Sequence, residues 1–331
     1  MKHLAIIGLI VMATTLTACG QDNEEAPKEE TPSGQISEGT EQNATKIGTG
    51  KLEQSRFFEE FNGKIDHVHG VGYAGNGNVL FFATHDGLKV YENGQWYKTK
   101  EENNDYMGFS ATEDGFYTSG HPGMDSNLPN PLGIKKSSDF GETLQPVALE
   151  GETDFHTMGV GYSNEVIFAL NPERNSIMET NQYYRSEDGG QSWKMVKANG
   201  LEGEIMSVAV HPTNPNLLAA AGSEGIYLSQ DKGETFQRII GEMTGTAIFF
   251  SEDTLWYGTY DGTPKLVKHS LADGTEQKAL LPKLEEDVVL FFAQNPQNEN
   301  EMTFVTFNGT IYQSADGAKT WKLLVEEGVL Q

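Results

Sequence analysis

The sequence predicts an all-β domain of six four-stranded sheets in a ring, and three observations carry that prediction. First, a frame of the form Ser-x-Asp-x-Gly-x-Thr/Ser-aromatic repeats. It stands at Ser186 to Trp193 and at Ser229 to Phe236. It also stands at Ser137 to Leu144, with Leu in the aromatic slot, and at Ser314 to Trp321, with Ala318 in the Gly slot. Second, the copies lie about 45 residues apart, or about twice that, which is the spacing of stacked propeller blades. Third, the intervening residues read as short apolar strands bounded by turns. The fold class is therefore a six-bladed β-propeller.

Each position of the frame has a local task. The carboxylates of Asp139, Asp188, Asp231 and Asp316 accept backbone N–H bonds across a tight turn, and Gly takes the left-handed conformation there. The Thr or Ser and the aromatic then start a strand whose ring is buried between sheets. Blade 1 takes residues 69–98, with Trp96 in the aromatic slot, and blade 2 takes 106–147. Blades 3 to 6 take 156–196, 206–239, 246–281 and 288–325. Blades 1 and 5 lack the frame but keep four strands. The first and last blades are each complete, so no strand is exchanged where the ring closes. Phe57, Phe58 and Phe61 supply apolar groups for docking ahead of blade 1.

The chain has 331 residues, of which 48 are acidic and 23 basic, for a net charge of −25. Nucleic acid and anionic membrane surfaces are poor partners for such a chain. Residues 1–18 carry a basic start, a short apolar run and small residues before Cys19, as a secretory signal does. Residues 19–54 are rich in Glu, Thr, Ser and Gly and contain little that could build a core, so they read as a disordered tether. The propeller occupies 55–331.

Propeller connectivity sorts the remaining residues between two faces. Turns that join blades, and the second turn within each blade, share one face; all four repeated Asp turns go to the other. His67, His69, His85, His121 and His156 belong to the first face, with Asp86, Asp105, Asp154 and Glu204. Met107, Met158 and Met206 are placed at the strand position of His69. These twelve residues predict a ligand pocket at the axial mouth of blades 1–3. Imidazole with thioether suits copper, and imidazole with carboxylate suits zinc or a similar ion. His67, His69, His121 and His156 are the candidate metal ligands. The competing reading packs the methionines between blades and leaves the histidines as turn caps.

The repeated frame resembles the Asp-box, or BNR repeat, of sialidases, sortilin-type receptors and secreted propellers. Leu16-Thr17-Ala18-Cys19 resembles a bacterial lipobox, which implies a lipid on Cys19 and anchorage to the outer face of the cytoplasmic membrane. The whole resembles bacterial BNR-repeat lipoproteins labelled sialidase-like or glycosyl hydrolase. Asp66-His67-Val68-His69-Gly70, Thr84-His85-Asp86-Gly87-Leu88, Gly120-His121-Pro122 and Asp154-Phe155-His156 carry that similarity. A sialidase needs three converging arginines, and this chain has only Arg56, Arg174, Arg185 and Arg238, of which Arg174 alone reaches the ligand face. Two functions follow as expectations. One is a monomeric surface binding module that takes a small ligand, glycan or protein at the axial face, with a copper or zinc ion as its cofactor. The alternative is a hydrolase of a neutral glycan working through two carboxylates.

Overall fold

The structure is a computed structural model describing Leu52, residues 55–77 and residues 79–331. The expected signal peptide, Cys19 and nearly all of the tether lie outside the described residues. Six antiparallel sheets form the ring. Blade 1 is built from Val68–Tyr73, Leu80–Thr84, Gly87–Glu92 and Gln95–Thr99, ordered from the axis outward. Blade 2 follows with Asp105–Thr112, Gly115–His121, Ile134–Ser137 and Gln145–Ala148. Blade 3 has Met158–Val160, Ile167–Asn171, Gln182–Ser186 and Lys194–Val196. Blades 4 and 5 run inner to outer from Ile205–Val210 to Gln237–Ile240 and from Thr244–Phe250 to Glu276–Lys278. Blade 6 runs from Val289–Asn295 to Lys322–Glu326. Each inner strand touches the next around the axis, and that of blade 6 returns to that of blade 1.

The apolar core lies between blades. Six clusters of buried side chains each join two neighbours, as Phe81 and Leu88 of blade 1 meet Phe109 and Phe116 of blade 2. The closing cluster sets Phe82, Tyr91 and Trp96 of blade 1 against Ala293, Ile311 and Val325 of blade 6. No strand is exchanged there. Both ends of the domain instead add an outermost strand: Phe58–Glu60 pairs with Gln95–Thr99, and Val329–Leu330 pairs with Lys322–Glu326. The two ends then meet, with Ile65 N donating to Gly328 O at 2.8 Å and a bridge between Lys64 and Val329.

The four repeated turns have one bonding pattern, in which the Asp carboxylate accepts a backbone N–H as expected and the Ser hydroxyl accepts a second one. Ser186 Oγ accepts the Gly190 N–H at 2.8 Å and bonds Asp188 Oδ1 at 2.8 Å. Asp188 then takes the Ser192 N–H on Oδ1 and the Ser192 hydroxyl on Oδ2. Ser137, Ser229 and Ser314 repeat this with Asp139, Asp231 and Asp316. Bonds from the hydroxyls of Ser192 and Thr320 hold Asp188 and Asp316 down to about 2. Gly190 has φ +94°, and a Cβ there would lie 2.2 Å from Val147 Cγ1 of blade 2. The turn thus locks its own blade and seats it on the one before.

Ser186→Ala leaves the buried Gly190 N–H without a partner and is expected to cost about 1–3 kcal/mol in denaturant unfolding. Gly190→Ala, which also meets Val147, should cost more. Unfolding midpoints equal to the parent's in both variants would contradict this account of the turn.

Candidate functional site

Seven of the predicted residues, His67, His69, His85, Asp105, His121, Asp154 and His156, enter the site from strand ends and the turns beside them. Strand register explains how. In blade 1 Val68 pairs with Thr84 and Gly70 with Ala83, so His69 is an extra residue, a β-bulge. The same irregularity leaves Met206 extra in blade 4, Thr246 in blade 5 and Leu290 in blade 6. A bulge re-aims one side chain without breaking the ladder that follows. His69, Met206 and Leu290 accordingly line the mouth of an axial channel of about 450 Å³. In blade 3 Met158 pairs with Ala169 as Val71 pairs with Phe82, which puts His156 at the position of His69. His156 also lines the mouth.

This register corrects the placing of the methionines. Met206 shares the position of His69, but Met107 and Met158 do not; both are buried. Met158 forms part of the channel wall. The reason is register: the pairing of blade 3 sets Met158 two residues beyond His156, and an irregularity between Met107 and Ser110 shifts the count in blade 2.

Around the mouth, imidazoles and carboxylates alternate. His69 Nε2 lies 3.4 Å from His85 Nδ1 and 3.2 Å from His85 Nε2. His85 Nδ1 meets Asp105 Oδ1 at 2.9 Å. The His67 ring stands edge-on to His85, with centroids 5.4 Å apart. Asp105 pairs across the strand with His121. His121 Nε2 in turn faces Asp154 Oδ2 at 3.3 Å, and His156 Nε2 bonds that oxygen at 2.5 Å. Among the described residues, His69, His85 and Asp105 bring donor atoms within 4.8 Å of one another. Of the four histidines expected as one ligand set, His69 joins this group, His121 and His156 meet at Asp154 instead, and His67 touches His85 only by its ring edge.

Two predicted residues stand apart. Asp86 turns to the fully buried Lys89, 2.7 Å away, and is taken up in that ion pair. Glu204 is solvent-exposed at the start of blade 4. Sequence reasoning also missed two supporting residues. Asn130 holds His121 Nδ1 at 2.7 Å, and Ser119 bonds Asp154 at 3.3 Å and the Phe155 N–H at 2.8 Å. Nothing in their local sequence marks either.

Below the mouth the channel wall is apolar, with Val71, Phe109, Val160, Ile248 and Phe291. At its far end a polar network crosses the axis. Asn76 donates to Glu113 at 2.8 Å, while Gln297 and Tyr162 donate to Asn76 Oδ1 at 3.1 and 3.3 Å.

Burial, and next the neighbouring His85, lower the His69 imidazole to about 4. His156 moves the other way, raised chiefly by its bond to Asp154. His69 is thus neutral near pH 7, the form in which imidazole ligates a metal.

No protein-family model matches the chain, and no curated protein does. Solved structures do match. A GH74 enzyme from Niastella koreensis superposes with a TM-score of 0.55 at 17% identity, covering 82% of this chain and 47% of that one. The GH74 xyloglucanase from Xanthomonas campestris gives 0.52 at 16%, covering 81% and 46%. An ancestral GH74 enzyme gives 0.50 at 16%, covering 82% and 40%. This chain thus spans less than half the length of each, and at such identities the likeness concerns the propeller fold alone.

The His69 shift has a measurable consequence. Between pH about 6.5 and about 4, the unfolded chain takes up a proton that folded His69 refuses, so its contribution to stability falls as pH drops through that window. In chelator-treated protein, His69→Asn should therefore lose less melting temperature than the parent between those pH values. An equal loss in both would contradict the burial of His69.

Proposed function

We propose that this protein is a binding module that holds a divalent transition-metal ion at its axial mouth, with His69, His85 and Asp105 as ligands. One observation carries the reading: the three donor atoms already converge. Zinc–nitrogen bonds of about 2.0–2.1 Å at tetrahedral angles place neighbouring ligand atoms about 3.3 Å apart. The separations here are 3.4 Å from His69 Nε2 to His85 Nδ1 and 2.9 Å from His85 Nδ1 to Asp105 Oδ1. An ion entering the triangle needs only small rotations of the side chains. Three protein ligands leave a fourth position for water or a bound molecule. Imidazole with carboxylate, and no thiolate, favours zinc or another borderline divalent ion over copper(I).

The second expectation, a hydrolase of a neutral glycan, finds less support in the geometry. Such an enzyme needs a carboxylic acid in an apolar, unpartnered setting. Asp86 is paired with Lys89, Asp105 with His85, and Asp154 with His121 and His156. The GH74 neighbours support the fold and leave the chemistry open. We propose further that the domain is displayed at the outer face of a bacterial membrane through a lipid on Cys19; Leu16-Thr17-Ala18-Cys19 and the acidic, core-poor stretch after it support this.

Titrating the purified, chelator-stripped chain with Zn²⁺, by calorimetry and by competition with a chelating dye, tests the ligand set. His69→Ala and Asp105→Asn should each weaken this site by at least about 100-fold, more than loss of a group that merely orients a ligand. Glu204→Gln should bind as the parent does. Unchanged affinity in both ligand variants would overturn the assignment.

A further inference from the structure

The axial channel has a distribution of charge that the metal site at its mouth does not use. Its volume of about 450 Å³ falls within the range of about 300–1,000 Å³ common for small-molecule sites. Phe109, Phe249 and Phe291 line it, and Phe249 and Phe291 are only partly buried, so aromatic surface faces the space. Among the described residues, no lysine or arginine lines the channel. Three carboxylates do, those of Glu113, Glu252 and Glu299, on or beside the turns that join the first two strands of blades 2, 5 and 6 at the far end. We infer that the channel binds a small organic ammonium ion, with its apolar body among the phenylalanines and its positive group at these three carboxylates. This site goes beyond the metal ion at the mouth and does not depend on it.

Four features select that class of ligand. Glu113 and Glu252 take only neutral donors, the Asn76 amide at 2.8 Å and the Thr213 hydroxyl at 2.7 Å. None of the three carboxylates is in an ion pair among the described residues, so their charge is available to a ligand. They are also spread around the channel end: among the described residues only His69, His85 and Asp105 bring three such donor atoms within 4.8 Å of one another. The acidic end therefore suits a broad organic cation rather than a bare metal ion. Gln294, 8% exposed, lies in the wall toward the same end, and its Oε1 has no hydrogen-bond partner, which leaves an acceptor for an ammonium N–H. Aromatic ring faces attract an alkylammonium group as well as the chain that bears it. A carboxylate-headed molecule of the same shape would meet three like charges and find no lysine or arginine in the channel wall.

Calorimetric titration of the chelator-stripped full chain with n-alkylammonium ions from methyl to decyl tests this, with decanoate as the anionic control. Affinity should rise about fourfold per methylene until the channel is filled. Decanoate should bind more weakly than decylammonium. Replacing Glu113→Gln, Glu252→Gln and Glu299→Gln together should weaken decylammonium by about 10-fold and leave decanoate no weaker. All three are solvent-exposed, so this variant should melt as cooperatively as the parent. Ser207→Phe, at a half-buried position in the channel wall, should weaken decylammonium, and Ser110→Phe serves the same purpose if that variant does not fold. Equal affinity for methylammonium and decylammonium would place the cation on the acidic surface and overturn the channel site. Decanoate bound as tightly as decylammonium, or an unchanged triple variant, would overturn the ligand class. Zn²⁺ titration of the triple variant should match the parent, so failure here leaves the metal site at His69, His85 and Asp105 standing.

Discussion

A four-stranded sheet buries apolar side chains only where another surface covers its face, so no blade of this chain has a core of its own. Each of the six apolar clusters spans two blades. Blades 2 to 5 are covered on both faces by their chain neighbours, and closing the ring covers the remaining faces of blades 1 and 6. Closure relies on the same kind of packing as every other junction, with Phe82 and Trp96 set against Ile311 and Val325. The added outer strands and the Ile65–Gly328 bond then tie the two ends of the domain together. Gly190 shows how narrow the tolerance is at such a junction, since a single added carbon would meet Val147 of the neighbouring blade.

The site inherits its geometry from that packing. His69 and His85 come from blade 1, Asp105 and His121 from blade 2, and His156 from blade 3, with Asp154 on the loop that leads into it. No blade holds a full ligand set, so the separations across the mouth are set by how the blades seat on one another. Bulges at the starts of inner strands then turn single side chains to the rim while the rest of each strand keeps its ladder. Stability is concentrated in the interblade faces and the repeated turns, which leaves the opposite edge free to carry exposed imidazoles and carboxylates.

Much of the architecture was legible in the sequence because the repeated turns are local. Ser186, Asp188, Gly190 and Ser192 bond one another within seven residues, so their spacing alone announces the turn and its place between outer strands. The face that holds the histidines followed from connectivity. What was not legible depends on register and on distant partners. Strand register has no sequence mark of its own, so Met107 and Met158 were placed where His156 and Met206 stand. Asp86 looked like its neighbours until Lys89, buried three residues on, took it up. Which histidines would share a donor set depended on contacts between blades, which no local pattern encodes.

The central claim is that the imidazoles and carboxylates of the mouth hold cations. Anomalous diffraction at the zinc edge, from crystals grown with Zn²⁺, tests it most directly. The account predicts a peak about 2.0–2.2 Å from nitrogens of His69 and His85 and from an oxygen of Asp105. Zinc found only at the exposed Asp turns of the opposite face, with none at the mouth, would contradict it.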